Sequence, residues 1–262
     1  MIAIRACSGF DELVACVQLQ IETWGYDLSD VIPRKAFLVA QKIGGQVIGA
    51  FDTESSDQPE GGLETLVGFA LSWPGVKTGS GEPRAYLHSH MLAVREGYRN
   101  RGLGTELKLE QRREALSRGI RYMEWTFDPL EIKNAFLNIC KLGTIAGRYE
   151  VNFYGASSSR LAGGLPTDRL VAEWQLDSPR VQAILEGRPK AAPIIEERIP
   201  VPAAIYEWKA SEAGRERAFA VQLENRGKFQ QAYSRGLAVV GFVRDAEGNG
   251  VFELGFPRDI KL

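Results

Sequence analysis

The chain has 262 residues, of which 44% are hydrophobic and 25% are charged, and its formal net charge is −1. This length allows one large domain or a domain with an appendage. The balanced charge gives no electrostatic case for nucleic acid or an anionic membrane as a partner. No apolar run reaches the roughly 20 residues that cross a bilayer.

The first residues and the cysteines favour a cytoplasmic location. Residues 1–5 alternate like a strand and lack the apolar core of a signal peptide. Cys7, Cys16 and Cys140 are odd in number, widely spaced and outside any metal-ligand pattern. We therefore expect free thiols in a reducing compartment and no metal site.

The N-terminal part alternates short strand-like and helix-like stretches. Apolar periodicity predicts the following elements: a strand at 1–6, helices at 9–22 and 31–40, and strands at 46–51, 63–73 and 85–94. Polar, glycine-rich loops are expected at 55–62 and 74–83. Strands joined in this way indicate an antiparallel meander.

The middle of the chain returns to alternating helices and strands. A helix is predicted at 102–118, with Gly119 as its stop, followed by a strand at 120–127. Three signals start a helix that runs to residue 142: Asp128 as a cap, Pro129 at the first helical position and Glu131 as a capping-box carboxylate. Strands are expected at 147–154 and 169–176.

The character of the sequence changes after residue 177. Five prolines punctuate residues 178–202, which favours a linker with limited structure. A helix at 212–233 and strands at 237–243 and 251–256 follow. We interpret residues 1–177 as one domain and 178–262 as a linker and a docked C-terminal extension.

The strongest local signal lies between the strand at 85–94 and the helix that follows it. Gly102 and Gly104 stand in the first turn of that helix, where backbone amides lack partners and carry partial positive charge. Without Cβ atoms at these positions, a diphosphate can approach the amides closely. Arg99 and Arg101 add positive charge.

The same residues also allow a purely structural interpretation, a tight strand-to-helix turn. An Arg-x-x-Gly-x-Gly pattern alone is weak evidence for a ligand. The spacing is not that of a dinucleotide-binding fingerprint, and no Gly-Lys-Ser/Thr follows.

In its wider context this pattern resembles that of the GNAT superfamily of acyl-CoA-dependent N-acyltransferases. Its hallmark, Gln/Arg-x-x-Gly-x-Gly/Ala after the fourth strand, is similar to Arg99-Asn100-Arg101-Gly102-Leu103-Gly104. A second family motif resembles Asn134-Ala135-Phe136 and Lys141-Leu142-Gly143, at the two ends of the next helix. The resemblance covers roughly residues 1–176.

Several longer runs resemble a subgroup of predicted GNAT acetyltransferases with a C-terminal extension. These runs are His88-Ser89-His90-Met91, Trp125-Thr126-Phe127-Asp128-Pro129-Leu130, Asn134-Ala135, Asn152-Phe153-Tyr154-Gly155 and Leu165-Pro166-Thr167-Asp168-Arg169.

The resemblance implies an α/β fold whose mixed central sheet splays between strands four and five, and acyl-CoA bound in that gap. The diphosphate would lie on the amides of residues 99–105, and the pantetheine arm would pair with backbone near Leu92 and Val94. The implied acyl-CoA-binding residues are Leu92, Val94, Arg99, Asn100, Arg101, Gly102, Leu103, Gly104, Thr105 and Asn134.

The sequence indicates the catalytic residues less clearly than the acyl-CoA-binding residues. Many family members carry a Tyr, as acid for the leaving thiolate, where this chain has Ile139. His88 and His90, two residues apart on one strand, share a face, and an unperturbed imidazole is suited to proton transfer near neutral pH. They are candidates for the base or for substrate contacts, and the alternative is a pair of buried structural histidines.

Two further side chains are candidates for the chemistry of the site. Tyr149 can offer a phenol to the thiolate or the substrate, although packing aromatics are commoner. Arg169 begins a strand where the acceptor is expected to enter. It can pair with a carboxylate on the acceptor or form a surface ion pair.

We therefore expect transfer from acetyl-CoA or succinyl-CoA to the amine of a small molecule, an amino acid being one candidate and a protein amine another. The alternative is a CoA-binding regulatory protein that has lost its chemistry. A homodimer is considered as the assembly state, and no metal, nucleic acid or membrane is expected.

Overall fold

The structure is a computed structural model that describes residues 1–54, 65–78, 82–155, 157–159, 163–188 and 193–257. The chain divides into two compact units, residues 1–123 and 124–262. Its elements form a mixed α/β protein with additional C-terminal strands and helices, which confirms the predicted fold class. The predicted opening between strands four and five stays a prediction.

Four antiparallel strands in consecutive order form the sheet of the first unit. They are β1 (Ile2–Ala6), β2 (Gln46–Asp52), β3 (Thr65–Lys77) and β4 (Arg84–Val94). The predicted meander is therefore confirmed. The loop expected at 74–83 is wrong at its start, because β3 continues to Lys77, which pairs with Arg84 of β4.

Helices cover both faces of this sheet. The helices α1 (Gly9–Trp24) and α2 (Arg34–Lys42) pack on one face, where Phe37 and Phe69 are fully buried. The helix α3 (Leu103–Ser117) packs on the other face through Leu107. The apolar positions of each helix recur every three or four residues, so one stripe faces the sheet and the rest faces water.

The second unit contains two sets of antiparallel strands. In the first, β6 (Tyr149–Glu150) pairs with β7 (Arg169–Gln175). The other is a three-stranded sheet in the order β8 (Glu197–Val201), β10 (Gly250–Gly255), β9 (Ala238–Arg244). The boundary between the units falls within β5 (Tyr122–Phe127).

The helix predicted from residue 128 begins later than expected. It starts as α4 (Ile132–Ala135) and continues as a π-helical segment, Phe136–Lys141. The Asp128 carboxylate accepts the amide of Leu130 at 2.8 Å, which makes a turn instead of a helix cap. The predicted capping box is wrong, because Glu131 forms an ion pair with Lys209 at 2.8 Å.

The strand predicted at 147–154 is also wrong over most of its length. Only two residues pair as β6, and residues 151–154 form a turn. The cause is a set of side chains distant in sequence: Asp168 Oδ1 accepts the amide of Asn152, and Thr167 Oγ1 accepts that of Tyr154.

The segment interpreted as a linker contains more regular structure than predicted. The helix α5 (Pro179–Leu185) and the strand β8 lie within it, and α6 (Ile205–Ala210), α7 (Glu212–Ser234) and β9 follow. Buried Arg180 donates to the carbonyls of Gly143 and Val240. Residues on both sides of position 177 thus pack within one unit, and a functional boundary there stays a prediction.

No helix within the described ranges combines the length and apolarity that a membrane span requires.

Candidate functional site

The segment between β4 and α3 forms a sharp turn, residues 99–105, which we call the Gly102 turn. After β4, the amide of Arg95 donates to Val67 O at 2.8 Å, and a single 3-10 turn, Glu96–Tyr98, follows. Asn100 (φ 62°) and Gly102 (φ 86°) then adopt left-handed conformations. Asn and Gly are the residue types that tolerate this region best, so the local sequence sets the direction in which α3 begins.

The first amides of α3 point outward from the helix. Gly102 is the N-cap and has no side chain to accept them. Its carbonyl accepts the amides of Thr105 and Glu106 at 2.9 and 3.1 Å. In the described ranges, no hydrogen bond engages the amides of Leu103 and Gly104, so the positive end of the helix presents two donors.

The space in front of these donors is open. An added Cβ at Gly102 would meet no atom within 4 Å, and at Gly104 only the Leu92 Cδ2 at 3.5 Å. Residues 99–102 are all exposed. The turn can therefore admit a phosphate group against the backbone without moving a side chain.

The two predicted arginines lie in the same exposed segment. Arg99 Nε donates to Val94 O at 3.0 Å, and the Arg101 guanidinium lies 5.2 Å from the centre of the Tyr98 ring. The Tyr98 hydroxyl donates to Asp52 at 2.7 Å, which lowers the pKa of that carboxyl. Neither arginine forms an ion pair with a carboxylate among the described residues, so both positive charges remain available to an anion.

A β-bulge interrupts β4 at one of the two predicted histidines. Met91 pairs with Leu71 and Ser89 with Ser72, so His90 is the extra residue of the bulge. The His90 ring stacks on Trp73 at 4.5 Å, with 25° between the planes, and lies 6.1 Å from the His88 ring. The predicted proximity of the two histidines is therefore seen. Bulges re-aim side chains and are common beside active sites.

The two histidines are not equivalent. Burial, and secondly the charge of His88, lower the pKa of His90 to about 4. His90 is thus neutral at physiological pH. A base with so low a pKa takes up a proton poorly, which makes His90 a weak general base.

A buried polar network lies beside the bulge and was not predicted. Lys108 of α3, only 3% exposed, donates from Nζ to Ser89 Oγ at 2.7 Å, and that hydroxyl donates to Gln111 Oε1 at 2.9 Å. Burial holds the pKa of Lys108 well below its usual value. The network ties the helix behind the Gly102 turn to the strand that carries the histidines. A lysine on an amphipathic helix ordinarily indicates a solvated face, so no local pattern predicts this buried network.

Tyr149 is held in a hydrogen-bonded cluster of the second unit. Its hydroxyl donates to Asp168 Oδ2 at 2.6 Å, and Arg226 donates to both oxygens of Asp168 at 2.8 and 3.0 Å. Burial and the Asp168 carboxylate raise the pKa of Tyr149 well above its ordinary value. A phenol held in this way gives up its proton reluctantly, so the geometry favours a structural role for it.

The remaining predicted positions lie on or after α4. Asn134 is exposed, and the buried Ile139 offers no proton. Cys140 donates from Sγ to Phe242 O at 3.0 Å. In the described part of the chain, no three His, Cys, Asp or Glu side chains cluster in a way that would hold a metal ion.

Comparisons with known proteins show a likeness to one family over part of the chain. Residues 16–137 match the family model described as the acetyltransferase (GNAT) family. The fold is similar to that of Arabidopsis thaliana NAA60 in complex with acetyl-CoA, with a TM-score of 0.51 and 17% identity over 67% of this chain and 99% of that one. It is also similar to a chain of the NatC complex bound to Gag peptide and CoA, with a TM-score of 0.50 and 14% identity over 66% and 98%. A search of curated proteins gave no significant match.

Proposed function

We propose that the chain, whose residues 16–137 match the GNAT acetyltransferase family model, is an acyl-CoA-dependent N-acyltransferase of that superfamily and transfers an acetyl or succinyl group from CoA to the amine of a small molecule, such as an amino acid. We assign this activity to residues 1–177 and treat 178–262 as an extension. Acyl-CoA supplies the activated thioester for this transfer.

The observation that carries the proposal is the N-terminus of α3 in the Gly102 turn. Two outward amides, those of Leu103 and Gly104, face open space beside two guanidinium groups that form no ion pair among the described residues. Each charge-assisted amide contact contributes about 1.5–3 kcal/mol. We propose that the amides of residues 99–105 bind the diphosphate.

The strand β4 leads from this turn to the histidines. With a rise of about 3.3 Å per residue, His90 and His88 lie about 13 and 20 Å along the strand from Val94. A ligand with a phosphate at one end and a reactive thioester at the other requires such a separation. We propose that the backbone near Leu92 and Val94 binds the arm between them.

We propose His88 as the group that takes the proton from the acceptor amine. An amine attacks only when neutral, so a base or a water chain must remove one proton. His90 is partly buried, stacked on Trp73 and weakly basic. We assign it the positioning of the neighbouring His88 ring, 6.1 Å away. Because Ile139 replaces the usual Tyr, we propose that water protonates the leaving thiolate.

Because the buried Ile139 cannot protonate the leaving thiolate, the second candidate function is that of a CoA-binding regulatory protein without turnover. The two functions differ in one observable, the release of thiol from acyl-CoA in the presence of an amine.

The test is a thiol-release assay with acetyl-CoA and succinyl-CoA and a panel of amino acids and other small amines. The proposal predicts release that depends on the amine. His88→Ala should lower kcat about 100-fold, with the affinity for CoA unchanged. Tight CoA binding without turnover on any amine would favour the regulatory function, and a wild-type rate in His88→Ala would remove this residue from the mechanism.

A further inference from the structure

A buried polar cluster holds β4 at the point where its register with β3 shifts. Ser89, only 4% exposed, pairs with Ser72 of β3 on one side of the bulge. Met91 pairs with Leu71 on the other side, and His90 is the extra residue between them. A bulge leaves one residue unpaired, so the neighbouring pairs determine where it forms. The side chains that hold Ser89 therefore determine which residue of β4 is the extra one.

Hydrogen bonds from other elements hold both serines of this pair. Lys108 Nζ of α3 donates to Ser89 Oγ at 2.7 Å, and that hydroxyl donates to Gln111 Oε1 at 2.9 Å. The Ser72 hydroxyl donates to Gln46 Oε1 of β2 at 3.0 Å. Gln46 Nε2 in turn donates to the Gln111 carbonyl at 2.8 Å. The pair beside the bulge is thus anchored to the strand β2 and to the helix α3.

Lys108 is the member of this cluster that costs most to bury. An ammonium group loses its hydration in apolar surroundings, so burial holds the pKa of Lys108 well below its usual value. An apolar residue of similar length would fill the same position of α3 without that cost. A residue that breaks a local rule in this way indicates a role other than stability.

The cluster and the histidines lie on opposite faces of β4. Ser89 faces α3, whereas the His90 ring stacks on Trp73 at 4.5 Å. Trp73 packs against the apolar cluster that α1 and α2 bury. A register slip of one residue would exchange the two faces and move the imidazole rings to the wrong side of the strand. Holding Ser89 therefore also holds the imidazoles.

We propose that Lys108 is a positioning residue: its hydrogen bond to Ser89 fixes the bulge of β4 and thereby the placement of the His88 and His90 rings. The inference rests on the proposed function where it concerns proton removal by His88. Lys108 acts through β4 and contacts neither acyl-CoA nor the acceptor. Without its hydrogen bond, His88 moves relative to the amine, and a small misplacement of a catalytic group costs up to about 100-fold in rate.

Nuclear magnetic resonance of the imidazoles tests the placement directly, because the chain has only two histidines. In the wild-type protein, stacking on Trp73 should displace the His90 ring protons upfield. Lys108→Met, which keeps an unbranched side chain without the amine, should remove at least half of that displacement. Lys35→Met, at an exposed lysine of α2, is the matched control and should leave both imidazole signals unchanged.

Ser89→Ala breaks the same hydrogen bond from the other side and should reproduce the change in the signals. Adding Lys108→Met to Ser89→Ala should move the signals no further, because the bond is already lost. Changes that simply add would mean that the two residues act independently, and would overturn the inference. Ser89→Ala also decides the question if Lys108→Met does not fold.

Kinetics with any amine that the thiol-release assay identifies separate positioning from general damage. Lys108→Met should lower kcat about 10- to 100-fold, with the affinity for CoA unchanged. In a His88→Ala background the same substitution should have no further effect. An equal loss of kcat in both backgrounds would mean that Lys108 does not act through His88, and would overturn the inference.

The outcomes separate this inference from the proposed function. Imidazole signals that stay in place in folded Lys108→Met and Ser89→Ala proteins would overturn the inference, whatever the activity. Displaced signals with an undiminished kcat would support the placement by Lys108 and remove His88 from the mechanism. If no amine is acylated, the proposed function fails, and the spectra still decide the inference.

Discussion

The Gly102 turn and the turn at residues 151–155, which we call the Phe153 turn, are built in opposite ways. The Gly102 turn takes its shape from local features: left-handed conformations at Asn100 and Gly102 and hydrogen bonds between residues a few positions apart. The Phe153 turn takes its shape from Thr167, Asp168 and Arg226, which lie up to 75 residues further along the chain.

Because of this difference, we expect substitutions in the two turns to change different properties of the protein. Removing a group from the Gly102 turn changes an exposed surface on which few other contacts depend. Removing a group from the support of the Phe153 turn leaves a buried charge without its partner. We therefore expect substitutions in the first region to alter ligand affinity and those in the second to alter the free energy of unfolding.

The largest effect on stability is expected from Arg226→Met. It leaves the buried Asp168 carboxylate without its guanidinium, and breaking a buried ion pair from one side costs about 3–5 kcal/mol. Urea denaturation measures this loss. Arg188→Met serves as the control, because Arg188 and Glu186 form an ion pair with both side chains more than half exposed, and its loss should stay below about 1 kcal/mol.

The origin of that loss can be tested with a second substitution. Adding Asp168→Asn to Arg226→Met removes the unpaired charge and should recover part of the stability. If the double variant were no more stable than Arg226→Met, the loss would stem from packing and not from charge.

A smaller effect is expected from acidification, through His90. Its pKa is about 4 in the folded protein and about 6.5 in an unfolded chain. Between these values the unfolded chain binds more protons, so stability is full above pH 6.5 and falls as the pH decreases, by at most about 1.4 kcal/mol per pH unit for one proton. Denaturation between pH 6.5 and 5 measures this slope, which His90→Gln should flatten. An equally steep slope in the variant would contradict a partly buried His90 that is neutral in the folded protein.

The smallest effect on stability is expected at Gly102 itself. Gly102→Ala places an L-residue at φ 86° and should cost about 1 kcal/mol, although its Cβ meets open space. Gly97→Ala is the matched control, since Gly97 also faces open space without a positive φ. Equal stabilities in thermal denaturation would mean that the left-handed conformation at Gly102 is not required.

The same difference explains what could be predicted from the sequence. The Gly102 turn and the meander were predicted because glycine spacing and apolar alternation are local properties of a chain. The helix start at residue 128 was misplaced because Glu131 pairs with Lys209. The same local sequence allows Glu131 to form either a capping box or an ion pair with a distant lysine. Only the folded structure shows which of the two it forms.

Long-range contacts also account for the features that the sequence did not indicate. The strand expected at 147–154 gives way to a turn because Thr167 and Asp168 accept its amides. The bulge at His90 depends on the register with β3, and the burial of Lys108 depends on how α3 packs on the sheet. None of these three features can be inferred from a local sequence pattern.

Calorimetric titration of CoA tests the central claim, that the Gly102 turn binds the diphosphate of acyl-CoA, most directly. The account predicts stoichiometric binding to the wild-type protein and to Gly97→Ala. Gly104→Glu, which places a carboxylate in front of the amides of α3, should lose affinity at least about 100-fold, since several charge-assisted contacts are blocked together. Its fold should persist, because a Cβ at this position makes only an ordinary contact with Leu92. Unchanged affinity in a folded Gly104→Glu protein, or no binding of CoA by the wild type, would contradict the account.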